Sequence, residues 1–410
     1  MNYYIILSPG ITGMGGSQMY TRNKYLDAEK RGYKCLVFHS SSKGDVYIEE
    51  LKQHLPNKVS ELAFSPLFFS TKKRELVLQF MESKIINSDI IIIESHHLSS
   101  GLWGELLAKR LNAKHFVYLL SEHNHIRSSS IYNFYKFKYD HHSLCGIKPN
   151  TLKELFAGRL DLSEADSRYL RASCNNVLED IPYKKLKEIP SADFTISTIG
   201  RLNKPFVKPM IRDIIRFANA HPDKTFCVLL IGGVLPGFNN VIEIENQLNK
   251  YPNISYHTTG FIYPIPLELV RKSDVCIASA GSCSVAVRSG IPCVSIDSND
   301  FKAIGIYTVT TKHSLFRDAS EPPIDTAIML KKVLIDGKFG KKDINITSNI
   351  DFSAHWAFIE KVPNIVYYDV QNMVLSRFEK VQKLILKTMG ISCLNYFMRE
   401  ALKIRIKIHS

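Results

Sequence analysis

The polarity pattern of the chain alternates short apolar, β-branched runs with segments of helical period, and it does so twice. Tyr3 to Leu7 predicts a first strand, followed by a turn holding glycines 10, 13, 15 and 16, a helix ending near Gly32 and a second strand at Cys35 to Phe38. The pattern continues with a strand signal at Lys58 to Ala63, a helix over Lys73 to Ile86, a strand at Asp89 to Glu94, a helix at Leu102 to Leu111 and a strand at Phe116 to Leu120. Alternation at this spacing predicts a parallel, doubly wound sheet. The region from 126 to 188 is less regular and contains IYNFYKFKYDHH, whose rings and lysines suit either a stacking surface or a half-exposed amphipathic segment. A lysine-rich stretch between Pro182 and Pro190 reads as a linker.

The α/β pattern then restarts. Strands are expected at Phe194 to Ile199, Phe226 to Ile231 and Ile254 to His257, with a helix near Val241 to Asn249. Ser273 to Asp297 reads as strand (Val275 to Ala278), small-residue turn (Ser279 to Ser282), short helix (Val285 to Ser289) and the start of another strand (Val294 to Ile296). The fold class is therefore α/β with two Rossmann-like domains, 1–188 and 189–371, and a basic amphipathic C-terminal segment, 372–410.

Composition narrows the partners. At 410 residues, 45% apolar and 22% charged, the chain suits two globular domains. A formal net charge of +14 favours an anionic partner: a nucleotide, a nucleic acid or an acidic membrane face. No nucleic-acid module is recognisable, so nucleic acid is not expected. The eight cysteines form no C-x-x-C pair, which points to a reducing compartment with neither disulfide framework nor zinc site. With no signal-like N-terminus and no apolar run near the ~20 residues of a membrane span, a cytoplasmic location is expected. The last segment carries eight Lys/Arg and two Glu, a net of +6, and Leu394, Phe397, Met398, Ala401 and Leu402 form a helical apolar stripe. It suits docking on the inner face of an anionic membrane, or packing back on the body.

Candidate chemistry gathers where strands end, since ligands of open α/β sheets bind outside the carboxyl edge. The first turn either brings backbone close to a ligand or merely permits tight helix packing; it lacks G-x-G-x-x-G spacing, and no acid closes the second strand, which argues against a dinucleotide. Two polar clusters, Ser95-His96-His97 and Ser121-Glu122-His123-Asn124-His125, could house a general base, or their histidines could be hydrogen-bonded in loops. Arg201, Lys204 and Lys208 follow the first strand of the second domain, where cations would face a diphosphate. The Ser279 to Ser282 turn opens a helix whose N-terminus suits phosphate.

Taken in order, four stretches resemble the GT-B glycosyltransferases, in particular the large retaining family that uses nucleotide-sugars in bacterial polysaccharide assembly: GMGGSQMYTRNKYLDAEKRGYKCLVF; DIIIIESHHLSSGLWGELLAKRLNAKHFVYLLSE; STIGRLNKPFVKP; and GFIYPIPLELVRKSDVCIASAGS with SGIPCVSID. The resemblance spans roughly Tyr3 to Asp297. It implies two domains facing a cleft, a nucleotide-sugar as co-substrate with no cofactor and no metal, and a glycan or lipid-linked acceptor. It implies donor contacts from Gly15, Gly16, Arg201, Lys208 or Lys204, and Gly281, Ser282 and Ser284. For catalysis it points to Ser121, Glu122 and His123 without fixing which acts; His97, from the first polar cluster, is a further candidate. The family's ribose-binding Glu, and an acid eight residues before it, fall here on Val285 and Ile277, so Ser282, Ser284, Asp297 or Asp300 would have to substitute. Alternatives are a nucleotide-sugar epimerase, or a silent GT-B protein serving as a glycan-binding or assembly subunit.

Overall fold

The computed structural model describes every residue except 42–43, 87, 122–125, 127, 161, 164–167, 175, 235–236, 342–349 and 410, together with the side chains of 395 and 397–409. The first sheet comprises β1 (Asn2–Ser8), β2 (Tyr33–His39), β3 (Ile91–Ser95), β4 (Lys114–Leu119) and β5 (Leu144–Gly146), all parallel, in the order β2-β1-β3-β4-β5. The second has β6 (Phe194–Ile199), β7 (Phe226–Ile231), β8 (Ile254–Thr258), β9 (Val275–Ala278), β10 (Cys293–Ile296) and β11 (Ala303–Ile306), in the order β11-β10-β9-β6-β7-β8, with only the β10–β11 pair antiparallel. Strand order reverses between β1 and β3 in one sheet and between β6 and β9 in the other. A crevice opens at such a switch point because neighbouring connections leave in opposite directions.

The strands form where expected because their β-branched and aromatic runs are buried on both faces, as parallel sheets with covered faces require. Lys58 to Ala63 does not form a strand. Val59 and Leu62 are both buried, a spacing of three, and the segment is a 3₁₀ turn over Ser60–Ala63 touching β2 through a single bridge, His39 with Lys58. IYNFYKFKYDHH lies largely in the helix Ser129–Asp140, which buries Ile131, Phe134, Tyr135 and Lys138 against the sheet.

Helix α1 (Gly16–Lys30) follows β1, α2 (Leu98–Leu111) follows β3, α3 (Val207–Asn219) follows β6 and α4 (Gly281–Arg288) follows β9. Beyond the second sheet the chain returns. Helix α5 (Ser353–Lys361) buries Trp356, Phe358 and Ile359 in the core beside Tyr4, Tyr20 and Tyr118, and Val370 packs with Phe134 and Leu152. Packing thus places residues from Phe352 to about Met373 on the first domain, although the sequence pattern grouped them with the second. Helix α6 (Arg377–His409) is broken at Gly390 (φ 80°, ψ 175°) and rests on Phe64 and Phe68 through Leu386 and Leu394. Among the described residues, no helix is long and apolar enough to cross a membrane.

Candidate active site

A cleft of about 1200 Å³ separates the two sheets, lined by the loops that leave β1, β4, β6, β7 and β9. That volume accommodates a nucleotide-sugar-sized ligand. On the first-domain side, Ser41 Oγ accepts hydrogen bonds from Ile11 N at 2.7 Å and Thr12 N at 3.3 Å, fixing the loop that carries Gly15 and Gly16 to the cleft wall. A Cβ on Gly15 would stand 3.2 Å from Gln18 Oε1 and 3.7 Å from Arg201 Nε. The first-domain loop therefore meets the second-domain arginine within the cleft.

The second-domain floor is bare backbone. Gly232 has φ +152°, and a Cβ there would lie 1.8 Å from the Gly200 carbonyl oxygen, so no side chain can occupy the junction of β6 and β7. Arg201 follows Gly200 directly. Its Nε is buried without a hydrogen-bond partner, and burial lowers the guanidinium pKa, though an arginine stays charged throughout. Lys204 lines the same wall, as does Asn203, whose Oδ1 is also buried and unpartnered. Gly281 and Ser282 line the cleft at the start of α4, with Ser282 Oγ 3.4 Å from where a Cβ on Gly200 would stand. The residue before them, Ala280, holds φ 58°, ψ −134°, a strained backbone for a residue with a Cβ, and donates its N–H to Ser314 O at 2.6 Å. Ala280, Gly281 and Ser282 all line the cleft at this turn.

An arginine with an orphaned buried nitrogen, a lysine and a helix start converge on one volume. Such a volume suits an anion with several oxygens, because positive charge gathers there and the unpartnered Arg201 nitrogen lacks an acceptor within the protein. Among the described lining residues the only carboxylate is Asp45, which is exposed. No group of three or more His, Cys, Asp or Glu among the described residues is placed to hold a metal ion.

Other candidates lie elsewhere. Lys208 is turned to the surface, paired with Glu243 at 2.7 Å, so of the two lysines Lys204 is the one at the cleft. Ser284 is half-buried on α4 and does not line the cleft. His97 caps α2: its Nδ1 accepts from Ser100 N at 3.2 Å, which requires a neutral ring, and burial with the neighbouring His96 lowers its pKa to about 4. It is thus a structural acceptor outside the cleft. Its neighbours are engaged as well, His96 with Glu94 at 3.0 Å and Ser95 with His115 at 3.0 Å, because successive β3 positions face opposite sides of the sheet. Glu122 and His123 lie outside the described residues; Leu120 and Ser121, immediately before them, line the cleft.

Val285 and Ile277 are core residues with no exposure. Asp297 does not replace the family acid, since it accepts from Arg317 N at 2.8 Å, Arg317 Nε at 3.1 Å and Asn299 N at 2.7 Å; Asp300 also pairs with Arg317. Hydroxyls stand there instead: Ser282, Ser279 and Ser298, the last two 3.4 Å apart. Sequence reasoning missed Tyr47 and Phe261, whose rings meet across the cleft mouth at 4.9 Å, and Tyr263, which donates to the Glu50 carboxylate at 3.0 Å while Arg22 binds the same acid. The Tyr47–Phe261 and Tyr263–Glu50 contacts join residues more than two hundred positions apart, and nothing local marks them.

No family model and no curated protein sequence matches this chain. Solved structures do. A glycosyltransferase from Rickettsia africae superposes with a TM-score of 0.57 at 14% identity, over 94% of this chain and 99% of that one. The chain has the GT-B fold. The N-terminal domain of Candida albicans trehalose-6-phosphate phosphatase aligns with a TM-score of 0.50 at 10% identity, over 98% of this chain and 96% of its own. In this GT-B chain the switch points of both sheets open on the interdomain cleft, so the anion-selective wall lies between the domains.

Proposed function

We propose that this GT-B protein is a glycosyltransferase that moves a sugar from a nucleotide-sugar donor to a glycan or lipid-linked acceptor in the cytoplasmic assembly of a bacterial surface polysaccharide. The observation that carries the reading is Arg201, a half-buried side chain that lines the interdomain cleft and whose buried Nε has no protein partner. Arg201, Lys204 and the Gly281–Ser282 amides hold the donor diphosphate. As the bond between sugar C1 and the leaving phosphate oxygen breaks, charge grows on that phosphate and these fixed donors strengthen their hold on it, lowering the barrier. The acceptor oxygen bonds to C1, and its proton passes to a base on the first-domain side or to the departing phosphate. Glu122 and His123 are the proposed bases, since they follow Ser121, which lines that side. No metal or resident cofactor is called for, since arginine and lysine neutralise the diphosphate.

One observation favours a second reading: the ribose-binding acid is absent, and serines alone stand near its place. A GT-B protein that binds a nucleotide-sugar without transferring it would fit. The test is a melting-temperature panel of UDP, GDP, CMP and their sugar conjugates, followed by donor turnover, since a ligand specific to the folded state raises the midpoint. Selective stabilisation that is lost in Arg201→Ala, together with turnover, supports the transferase. Stabilisation without turnover supports the silent protein, and no stabilisation at millimolar ligand rejects the donor site.

A further inference from the structure

Six of the nineteen large hydrophobic side chains that the described residues leave exposed fall between Val374 and Tyr396. Four lie on α6 before its break: Phe378 is 57% exposed, Val381 54%, Leu384 60% and Met389 56%. At about 100° per residue these four fall within one arc of about 140° that also holds Arg377; Lys380, Lys383 and Lys387 span about 60° beginning about 40° from its Leu384 edge, and Leu386 lies about 60° beyond its Met389 edge, turned to the body together with Ile385. The three lysines and Arg377 are exposed, and the one acid of this stretch, Glu379, is half-buried and accepts a hydrogen bond from Ser376 N at 2.8 Å. The helix is thus anchored on its inner side by Leu386 and Leu394 against Phe64 and Phe68, while its outer side presents an apolar ridge edged by cations.

Water is a poor solvent for such a ridge, and a purely apolar partner would leave the lysines without counter-charge. An anionic bilayer surface satisfies both: the rings and branched chains enter the headgroup boundary, and the lysines extend their stems along it to reach lipid phosphates. We propose that residues 377–389 form an interfacial helix that docks this protein on an anionic membrane. The sequence pattern assigned membrane docking to the whole segment 372–410 through the stripe from Leu394 to Leu402; the exposed ridge lies before that stripe. The proposal stands on this surface and does not depend on the reading of the cleft.

The experiment is sedimentation of the full chain with extruded vesicles of phosphatidylcholine alone or with phosphatidylglycerol, at low and high salt. The chain is expected to pellet with the anionic vesicles only, and less at high salt. Phe378→Ser with Leu384→Ser should weaken binding by at least about tenfold, and each of Lys380→Gln, Lys383→Gln and Lys387→Gln by about fivefold. Removing the residues after Gly390 should leave anionic binding in place. Equal binding to both lipids, or wild-type binding by the serine double variant, overturns the proposal, as does loss of binding on truncation alone. Light scattering that shows a dimer broken by the serine variant would instead assign the ridge to a second copy of the chain. Unaltered nucleotide-induced stabilisation in these variants separates failure here from failure of the donor site.

Discussion

The two domains share an architecture and fill it differently. The core of the second is apolar nearly throughout, with β6, β7, β9 and β10 packed against α3 and α4 by aliphatic side chains, a few phenylalanines and small thiols. The first buries two ionisable networks, one on each face of the same sheet. On one face Glu94 accepts hydrogen bonds from Tyr4 at 2.5 Å and Tyr20 at 2.6 Å and pairs with His96, while Lys24, fully buried, has no hydrogen-bond partner and stands over the rings of Tyr4, Phe352 and Trp356 at 5.1, 4.8 and 4.2 Å. On the other, Glu105 binds Lys138 at 2.5 Å and His115 at 2.7 Å and accepts from Tyr368 N at 2.7 Å. Both networks reach the returning segment, through Phe352 and Trp356 on one face and Tyr368 on the other. The comparison teaches that the first domain uses buried polarity to fasten a distant stretch of chain, whereas the second leaves a buried, unpartnered arginine nitrogen, Arg201 Nε, on a side chain that lines the cleft.

The sharpest way to break this contrast is Lys138→Met. Glu105 would then be buried with only a neutral histidine and one amide, and removing one partner of a buried pair costs about 3–5 kcal/mol. Both tryptophans, Trp103 and Trp356, lie in the first domain, so their emission in a urea titration reads that domain, while calorimetry reads the whole chain. The loss should appear first in the tryptophan signal. Glu105→Gln combined with Lys138→Met should recover a substantial part of it, because no uncompensated charge remains; an additive double variant would show that the pair does not act as a unit.

Acidification should separate the domains next. Burial lowers His115 and His355 to about 4, against an ordinary value near 6.5. A group with a depressed folded pKa contributes stability that is complete above its unfolded pKa and lost as pH falls through the folded one. These two therefore weaken the first domain from about pH 6.5 down to about 4. Glu94 and Glu105 follow at lower pH: burial alone would raise them, but His96 and Tyr20 in one case, and Lys138 and His115 in the other, outweigh it and bring both to about 2. Tryptophan-detected melting should fall across pH 6.5 to 4, and His355→Phe should flatten the slope by up to about 1.4 kcal/mol per pH unit. An unchanged slope would remove His355 from the account.

Arg201→Met tests the cation that the second domain leaves at the cleft. Hydrogen bonds to a charged group contribute about 1.5–3 kcal/mol, so nucleotide affinity should fall by roughly thirtyfold in a titration. The ligand-free protein should be no less stable, and by about 1 kcal/mol more so if the apolar chain fills the same space, because a buried unpaired donor is removed. A destabilised ligand-free variant would mean that Arg201 is a structural residue.

Much of this was legible in the linear pattern, and the remainder was hidden for a physical reason. The strands and the cations after β6 are local signals: an apolar β-branched run cannot face water, and Arg201 follows its strand directly. His96 and His97 carried the same polarity as a catalytic pair, but whether a histidine binds Glu94, caps a helix or meets substrate depends on which face of β3 it takes and on Ser100. Lys58 to Ala63 was misjudged because a six-residue window holds too few apolar positions to separate a period of two from one of three. The return of Trp356 to Tyr4 and Lys24 is set by contacts across most of the chain, beyond any local period.

The smallest expected effect falls on Ala280, where the second domain stores strain rather than charge. A Cβ at φ 58°, ψ −134° costs about 1–3 kcal/mol, and glycine would relieve it while adding about 0.5–1 kcal/mol of unfolded-chain entropy. Ala280→Gly should therefore stabilise the chain by about 1 kcal/mol, read as a rise in the calorimetric midpoint. What the alanine does at this position is restrict the loop that carries Gly281 and Ser282 to the cleft wall. If that restriction serves ligand binding, the more stable glycine variant should bind nucleotide several-fold more weakly, since ordering the loop would then be charged to the binding step. Equal affinity with greater stability would show the strain to be incidental to the site.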